Sequence, residues 1–533
     1  MTFPKLGYYA KDAVVILVIF FTALYTFMPL LADPAGRAVD DYDGLFIAWQ
    51  HAQISDKLRV FDWRHFFDGR IFYPNSQTLA FSEPFITDSL LSMPLWMITR
   101  EPVALLTFHT LLAQLLTLVM VYFLLHELTN DRRLALALTL VFGYSPLRLL
   151  YIGHLQQFQI AGIVLAWLAI VKLVQTPSRR WLAVFFGSFL LQFYNSFLTA
   201  WFILFSSVLY LFFEPVLRRH LRLLRREIIL GCILTGLLIL PLLIPYIQVS
   251  RFYQYIRPLT DVIHFSLSPE QLVTTFNSPL LWSVILFCLV LMWFQKRNRD
   301  AKIWFLIGGA SFVMSLGPAL HWLGQTVKIP FHIPLPYLVF YYLVPGFQGF
   351  RTPSRWLLLA VLAMTVGSSV VLSRLPKKWR GLIAAGLIIL SMIGLKQIKV
   401  MAVPARAEYP AVYAWLKDQP GKVVIELPIF RWGSDNFSKN EVYRMVYQTE
   451  HGKALVNGYS GFSPPDWEAL VARIQKEFPT KELLAEMKKM GVDYLIIHQD
   501  EYRRFKGTEI NLDPSADQLD LQYQEGDTLV YKL

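Results

Sequence analysis

The sequence predicts an α-helical polytopic membrane protein of about eleven spans that ends in a small α/β domain. Three observations carry that prediction. The 533-residue chain is 55% hydrophobic and only 17% charged, against about 25% charged residues in soluble domains. Apolar runs near the roughly 20 residues that cross a bilayer recur between Val14 and Leu395. The strongly basic segments fall in short loops between those runs.

The apolar runs include residues 13–32, 103–125, 134–147, 160–174, 228–247, 280–294, 303–316 and 356–372. Cys232 and Cys288 lie inside such runs, make no disulfide framework and read as small buried apolar residues. Net charge is +12 and the pI is near 9.4. In a soluble chain that balance would point to nucleic acid, but here the positive-inside rule accounts for it. There is no zinc-ligand spacing, no Walker loop and no G-x-G-x-x-G, and no nucleic-acid partner is expected.

The first run follows Lys5 and Lys11 and reads as an uncleaved anchor. With the N-terminus cytoplasmic, it ends outside near Asp33, and a large outer loop spans residues 33–102. The strongly basic short loops then all return to the inner side: Arg132 and Arg133; Arg179 and Arg180; Arg218, Arg219, Arg222, Arg225 and Arg226; Lys296, Arg297, Arg299 and Lys302; Arg374, Lys377, Lys378 and Arg380. The alternate loops near Gly153 and Tyr194 carry few charges. The apolar run at 85–98 is short for a crossing, and counting it would turn every arginine cluster outward. It therefore reads as a membrane-associated helix inside the outer loop.

Residues 1–400 thus form the transmembrane domain, and 401–533 change character. Lys422-Val-Val-Ile-Glu-Leu-Pro428 reads as a buried strand, 481–490 as an amphipathic helix and 492–498 as a second strand. Two further strands with a turn at Glu525-Gly526-Asp527 complete a small α/β domain. An odd number of spans places it outside, with the first loop.

The first outer loop opens on Asp40, Asp41 and Asp43. A helix is expected to start there, with Asp43 at or near its N-cap. Leu45, Ala48, Trp49 and Ala52 share one face, so the helix would lie on the bilayer. An aspartate held at that boundary can act as a general base on an acceptor hydroxyl; helix capping is the competing reading. Asp41-Tyr42-Asp43 also has metal-binding D-x-D spacing, a short and common pattern. Farther on, Glu83 and Asp88 flank the start of the short helix, placed either to bind sugar hydroxyls or to cap.

Taken together, six segments resemble the GT-C superfamily of membrane glycosyltransferases, and more narrowly a bacterial set of GT-C-like proteins. They are Asp43-Gly-Leu-Phe-Ile-Ala-Trp49; Phe72-Tyr-Pro-Asn75 with Leu79-Ala-Phe-Ser-Glu83; Ser145-Pro-Leu-Arg148 with Gly153-His-Leu-Gln156; Gly349-Phe-Arg-Thr-Pro-Ser-Arg355; Val424-Ile-Glu-Leu-Pro428; and Gly491-Val-Asp-Tyr-Leu-Ile-Ile-His498. The resemblance covers most of the chain and is specific as an ensemble. It implies a multi-pass protein of the bacterial plasma (inner) membrane, with the C-terminal domain extracytoplasmic. It also implies a polyprenyl-phosphate-linked sugar donor and a glycan, lipid or protein acceptor on the outer face. Asp43 matches the acidic position, with Asp41 second and Asp40 also in competition. Single-sugar transferases of this fold generally need no metal, whereas oligosaccharyltransferases use one. No cofactor is expected here, and a divalent ion at Asp41 and Asp43 is the alternative.

Two other polar segments stand out. His154 and Gln157 flank an outer turn, where ionisable groups face a cavity or a partner; there they would bind sugar or acceptor, or simply cap and snorkel. Arg351 and Arg355 lie on the outer side, where positive-inside statistics disfavour arginine. A departing lipid phosphate suits the planar guanidinium fork; headgroup contact is the competing reading. His264, Lys328 and His332 are weaker candidates. The leading reading is an inverting, lipid-linked glycosyltransferase. A transporter or flippase for lipid-linked glycans would show repeats and broken helices near the midplane. A non-catalytic envelope scaffold would need no carboxylate cluster at the membrane boundary.

Overall fold

Backbone in lipid must satisfy its own hydrogen bonds, so long apolar runs become helices. The structure is a computed structural model that describes residues 6–295, 298–327, 333–433, 437–510 and 519–533. Among these, five helices are long and apolar enough to cross a membrane: Lys11–Leu31, Pro102–Thr129, Leu155–Gln175, Arg225–Phe252 and Pro353–Ser373. A sixth arises if Phe197–Phe213 and Pro215–Leu223, bent by 103°, form one span. The helix Ile86–Thr99 has 14 residues, the short element expected in the first loop.

The chain forms two compact units. The first comprises Met1–Met28, Thr110–Pro241 and Tyr255–Ile398. Its most enclosed helix is Trp356–Ser373, buried continuously from Trp356 to Ala363 and packed against Arg299–Ser315 and Pro279–Phe294. Several arginines of the basic segments pair with acids on or capping other helices: Arg132 with Asp12 at 2.7 Å, Arg380 with Asp131 at 2.6 Å and Arg299 with Glu214 at 2.5 Å. By contrast, Arg225–Phe252 turns Ile229, Leu230, Ile233 and Leu237 outward, a surface suited to lipid. Cys232 is exposed on that helix and Cys288 is buried, so the expectation of two buried cysteines holds for one.

The second unit comprises Pro29–His109, Leu242–Gln254 and Lys399–Leu533. Its helices are numbered here α1 (Asp43–Val60), α2 (Ile86–Thr99), α3 (Ala411–Lys417), α4 (Lys439–His451), α5 (Pro465–Glu477), α6 (Lys481–Met490) and α7 (Gln499–Lys506). Its strands are β1 (Val423–Leu427), β2 (Ala454–Leu455), β3 (Tyr494–His498), β4 (Asp520–Glu525) and β5 (Thr528–Lys532). Among the described residues these form a five-stranded sheet in the order β2-β1-β3-β5-β4. β1 runs parallel to β2 and β3, and β5 runs antiparallel to β3 and β4. Val412, Leu416, Val424, Leu455, Ile496 and Val530 make the core.

One expectation changes. α1 is buried from Gly44 through Ser55, Gln50 and His51 included, rather than lying on a surface with one apolar face. The reason is long-range. Trp49 Nε1 and Gln53 Nε2 both donate to Gln448 Oε1 on α4, at 2.8 and 3.3 Å. Ala52 packs with Trp96 of α2 and with Leu105.

Candidate active site

At the start of α1 the three aspartates have separate partners. Asp40 Oδ1 accepts the backbone N–H groups of Tyr42 and Gly44, at 2.7 and 3.3 Å, and so supplies the capping acceptor. Asp43 is the first residue of the helix, one past the N-cap, and its Oδ1 accepts the Tyr459 hydroxyl at 2.5 Å. Asp41 Oδ2 accepts from the Lys439 ammonium and, at 3.4 Å, from the Tyr443 hydroxyl. The Tyr42 ring lies 4.8 Å from that of Tyr459, and its hydroxyl bonds Ser438 Oγ at 2.9 Å. Burial, with the Asp43 charge adding to it, pushes Tyr42 up to about 12. Burial and the Asp41 charge push Tyr443 up to about 12. Both phenols therefore stay protonated and can donate.

Tyr459 is held by the first loop itself. Phe72 N donates to Asn457 O at 3.0 Å, Tyr73 N to Leu455 O at 2.9 Å and Leu455 N to Arg70 O at 3.0 Å. Residues 70–73 thus run alongside β2 like a further strand. A Cβ on Gly458 would come within 2.8 Å of the Phe72 ring, and one on Gly461 within 2.9 Å of Phe81 O. Glycine is needed on both sides of Tyr459 for the backbone to approach this closely.

Glu83 is half-buried, and its carbonyl accepts Gln50 Nε2 at 2.7 Å. Asp88, in the first turn of α2, is 1% exposed. Nearby, the buried His51 ring lies 4.7 Å from that of His109, and burial holds His51 well below its ordinary value. Among the described residues, no three His, Cys, Asp or Glu side chains are grouped so as to hold a metal ion.

The remaining candidates lie in the first unit. The Arg351 guanidinium sits 4.7 Å over the Phe265 ring, with the Arg257 guanidinium and the Tyr255 phenol close by. Arg355 lies within electrostatic reach of Tyr151, whose carbonyl accepts His154 N at 2.9 Å. Gln157 is fully buried, and among the described residues neither its Oε1 nor its Nε2 has a hydrogen-bond partner. His264 is exposed beside Phe265. Lys328 and His332 lie outside the described residues.

The structure therefore gathers Asp41 and Asp43 with Lys439, Tyr443 and Tyr459. The three tail residues are absent from the sequence reading. One signal for them exists: Lys439, Tyr443 and Tyr447 repeat at i, i+4 and i+8, which lines them along one face of α4.

No protein-family model matches the chain, and no curated protein matches it in sequence. Solved structures do match. ArnT from Cupriavidus metallidurans, bound to undecaprenyl phosphate, superposes with a TM-score of 0.51 at 12% identity, over 99% of this chain and 98% of that one. The archaeal oligosaccharyltransferase AglB from Archaeoglobus fulgidus, in complex with an inhibitory peptide and a dolichol-phosphate, gives 0.51 at 11% identity over 99% of this chain and 74% of that one. The mycobacterial arabinofuranosyltransferase AftD gives 0.52 at 12% identity; the match covers 98% of this chain and 41% of that one. The fold shared with these proteins is the GT-C fold, in a multi-pass membrane protein.

Proposed function

We propose that this GT-C-fold chain is an inverting glycosyltransferase that moves a sugar from a polyprenyl-phosphate-linked donor to an acceptor hydroxyl. Asp43 takes the proton as the acceptor oxygen attacks the anomeric carbon; the bond from that carbon to the phosphate oxygen breaks, and the lipid phosphate leaves. Arg351 and Arg355 meet the phosphate charge. Glu83, Asp88, His154 and Gln157 serve sugar or acceptor hydroxyls. The observation that carries the reading is the Tyr459 hydroxyl on Asp43 Oδ1, which fixes a carboxylate in the first turn of a buried helix. Undecaprenyl phosphate and dolichol-phosphate bound to two proteins of this fold support the donor class. The reaction runs without a metal, because the Lys439 ammonium already neutralises Asp41.

The eleven-span arrangement, the 401–533 domain and its extracytoplasmic side belong to the same proposal and rest on the basic loops. In a chain lacking its native cysteines, Cys at Lys489 should label with an impermeant reagent in intact cells. Cys at Arg222 should label only after lysis; the reverse pattern sinks the orientation.

The direct test is Asp43→Asn, because asparagine still accepts the Tyr459 hydroxyl but takes no proton. Transfer should fall by about 10²–10⁴-fold with donor binding retained. If that variant stays active while Asp41→Asn is dead, Asp41 is the base. If both stay active, the carboxylate mechanism is wrong.

A further inference from the structure

The tail sheet has a switch point. β1 is followed in sequence by β2 on one side, while β3 pairs on its other side. In open α/β sheets, ligands bind in the crevice outside the carboxyl ends of the strands at such a point. A cavity of about 450 Å³ opens beside the carboxyl end of β3, the strand that pairs with β1 at this point, within the about 300–1,000 Å³ typical of small-molecule sites. It is bounded by α4, by His498 at the end of β3 and by the start of α7.

Its lining is unusual in kind. Tyr443 and Tyr447 supply aromatic rings, Lys439 and Arg504 supply cations, and Glu501 supplies a carboxylate, with Tyr413 and Arg444 buried beneath them. Among the described residues, no Leu, Ile, Val, Met or Phe side chain lines it. Its floor is a buried polar network. Arg444 donates to Glu441 at 2.6 Å and to Glu501 at 2.5 Å, while Glu426 accepts Tyr413 OH at 2.8 Å and lies 2.9 Å from His498 Nε2. Burial pushes Glu426 up, but its bonds from His498 and Tyr413 and the charges of His498 and Arg444 outweigh that and hold it low. The carboxylate therefore stays an acceptor.

Rigid aromatic faces amid donors and acceptors of both signs match a sugar ring, which offers an apolar C–H face and a rim of hydroxyls. Peptides are instead taken by apolar grooves or free sheet edges, and dinucleotides by a glycine-rich turn that the segment after β1 lacks.

We propose that this cavity is a carbohydrate-binding site, and that, given glycosyl transfer as the function, it holds the acceptor glycan. Position argues for the acceptor: Lys439 and Tyr443, which line the cavity, are the residues that bond Asp41. A sugar seated there presents its hydroxyls beside the acidic segment.

The test uses the full chain in nanodiscs. Cellobiose, maltose, mannobiose and N,N′-diacetylchitobiose, with a capped hexapeptide for contrast, are titrated by saturation-transfer NMR. At least one disaccharide should bind saturably, and Tyr447→Ala and Arg504→Ala should each weaken it at least tenfold. Lys489→Glu, at an exposed position of α6, should not. Arg504 is mostly exposed, so its variant tests the site even if loss of Tyr447 unfolds the domain. Failure of every disaccharide to bind, binding that both variants leave intact, or binding of the peptide alone would overturn the proposal. In a transfer assay, both variants should raise the acceptor KM at least tenfold and leave the donor KM alone. Transfer with an unchanged acceptor KM removes the cavity assignment and leaves the enzyme standing; sugar binding with no transfer under any condition does the opposite.

Discussion

The acidic segment at residues 40–43 and the basic segment at 349–355 are positioned in different ways. Asp41 and Asp43 are held by Lys439 and Tyr459, which lie 398 and 416 residues farther along the chain. Arg351 rests on Phe265 beside Tyr255 and Arg257, all within its own unit and much nearer in sequence. The carboxylates thus depend on a completed tail, whereas the arginine depends on its local helices. Damage to the first arrangement should appear in the chemical step, and damage to the second in donor binding.

After Asp43→Asn, the largest expected difference comes from Arg351→Ala. Loss of a charged hydrogen-bonding partner to phosphate should raise the donor KM by about 10–100-fold and leave the acceptor KM unchanged. Arg351→Lys should recover only part of that, since lysine offers a point charge rather than a fork. An unchanged donor KM in the alanine variant would move the phosphate site to Arg355 or His154. A smaller effect is expected from Tyr459→Phe, which keeps the ring packing on Tyr42 and Phe46 and removes the bond to Asp43. Here kcat should drop about tenfold with both KM values unmoved; a donor KM that rises instead would erase the contrast between the segments. Chelation should do least. Transfer in excess EDTA should match the untreated rate, and a loss restored by manganese or magnesium would recast Asp41 and Asp43 as ligands.

The sequence was legible where the physics is local. α6 runs from Lys481 to Met490 as its periodicity predicts, and the buried strands fall at Val423–Leu427 and Tyr494–His498. The short helix in the first loop was legible from the run at 85–98. The environment of α1 was not. Its apolar positions suggested a one-sided helix, but Gln448 meets Trp49 and Gln53 across 399 and 395 residues, and no window of sequence contains that contact. Lys439 and Tyr459 were missed for the same reason. Each looks like an ordinary surface residue until the loop and the tail are brought together.

The pairing of Arg37 with Ala402 and of Ala38 with Met401 bears on how the protein is made. The acidic segment emerges early, yet Tyr459 follows Asp43 by 416 residues, a delay of roughly 20–80 s at about 5–20 residues per second. Until then the Tyr459 hydroxyl cannot reach Asp43, and α1 cannot bury Gln50 and His51 in their final surroundings. Under the proposed mechanism, a chain that stops before Tyr459 keeps the acidic segment but loses transfer, and the bond that fixes Asp43 forms only when translation has reached the tail.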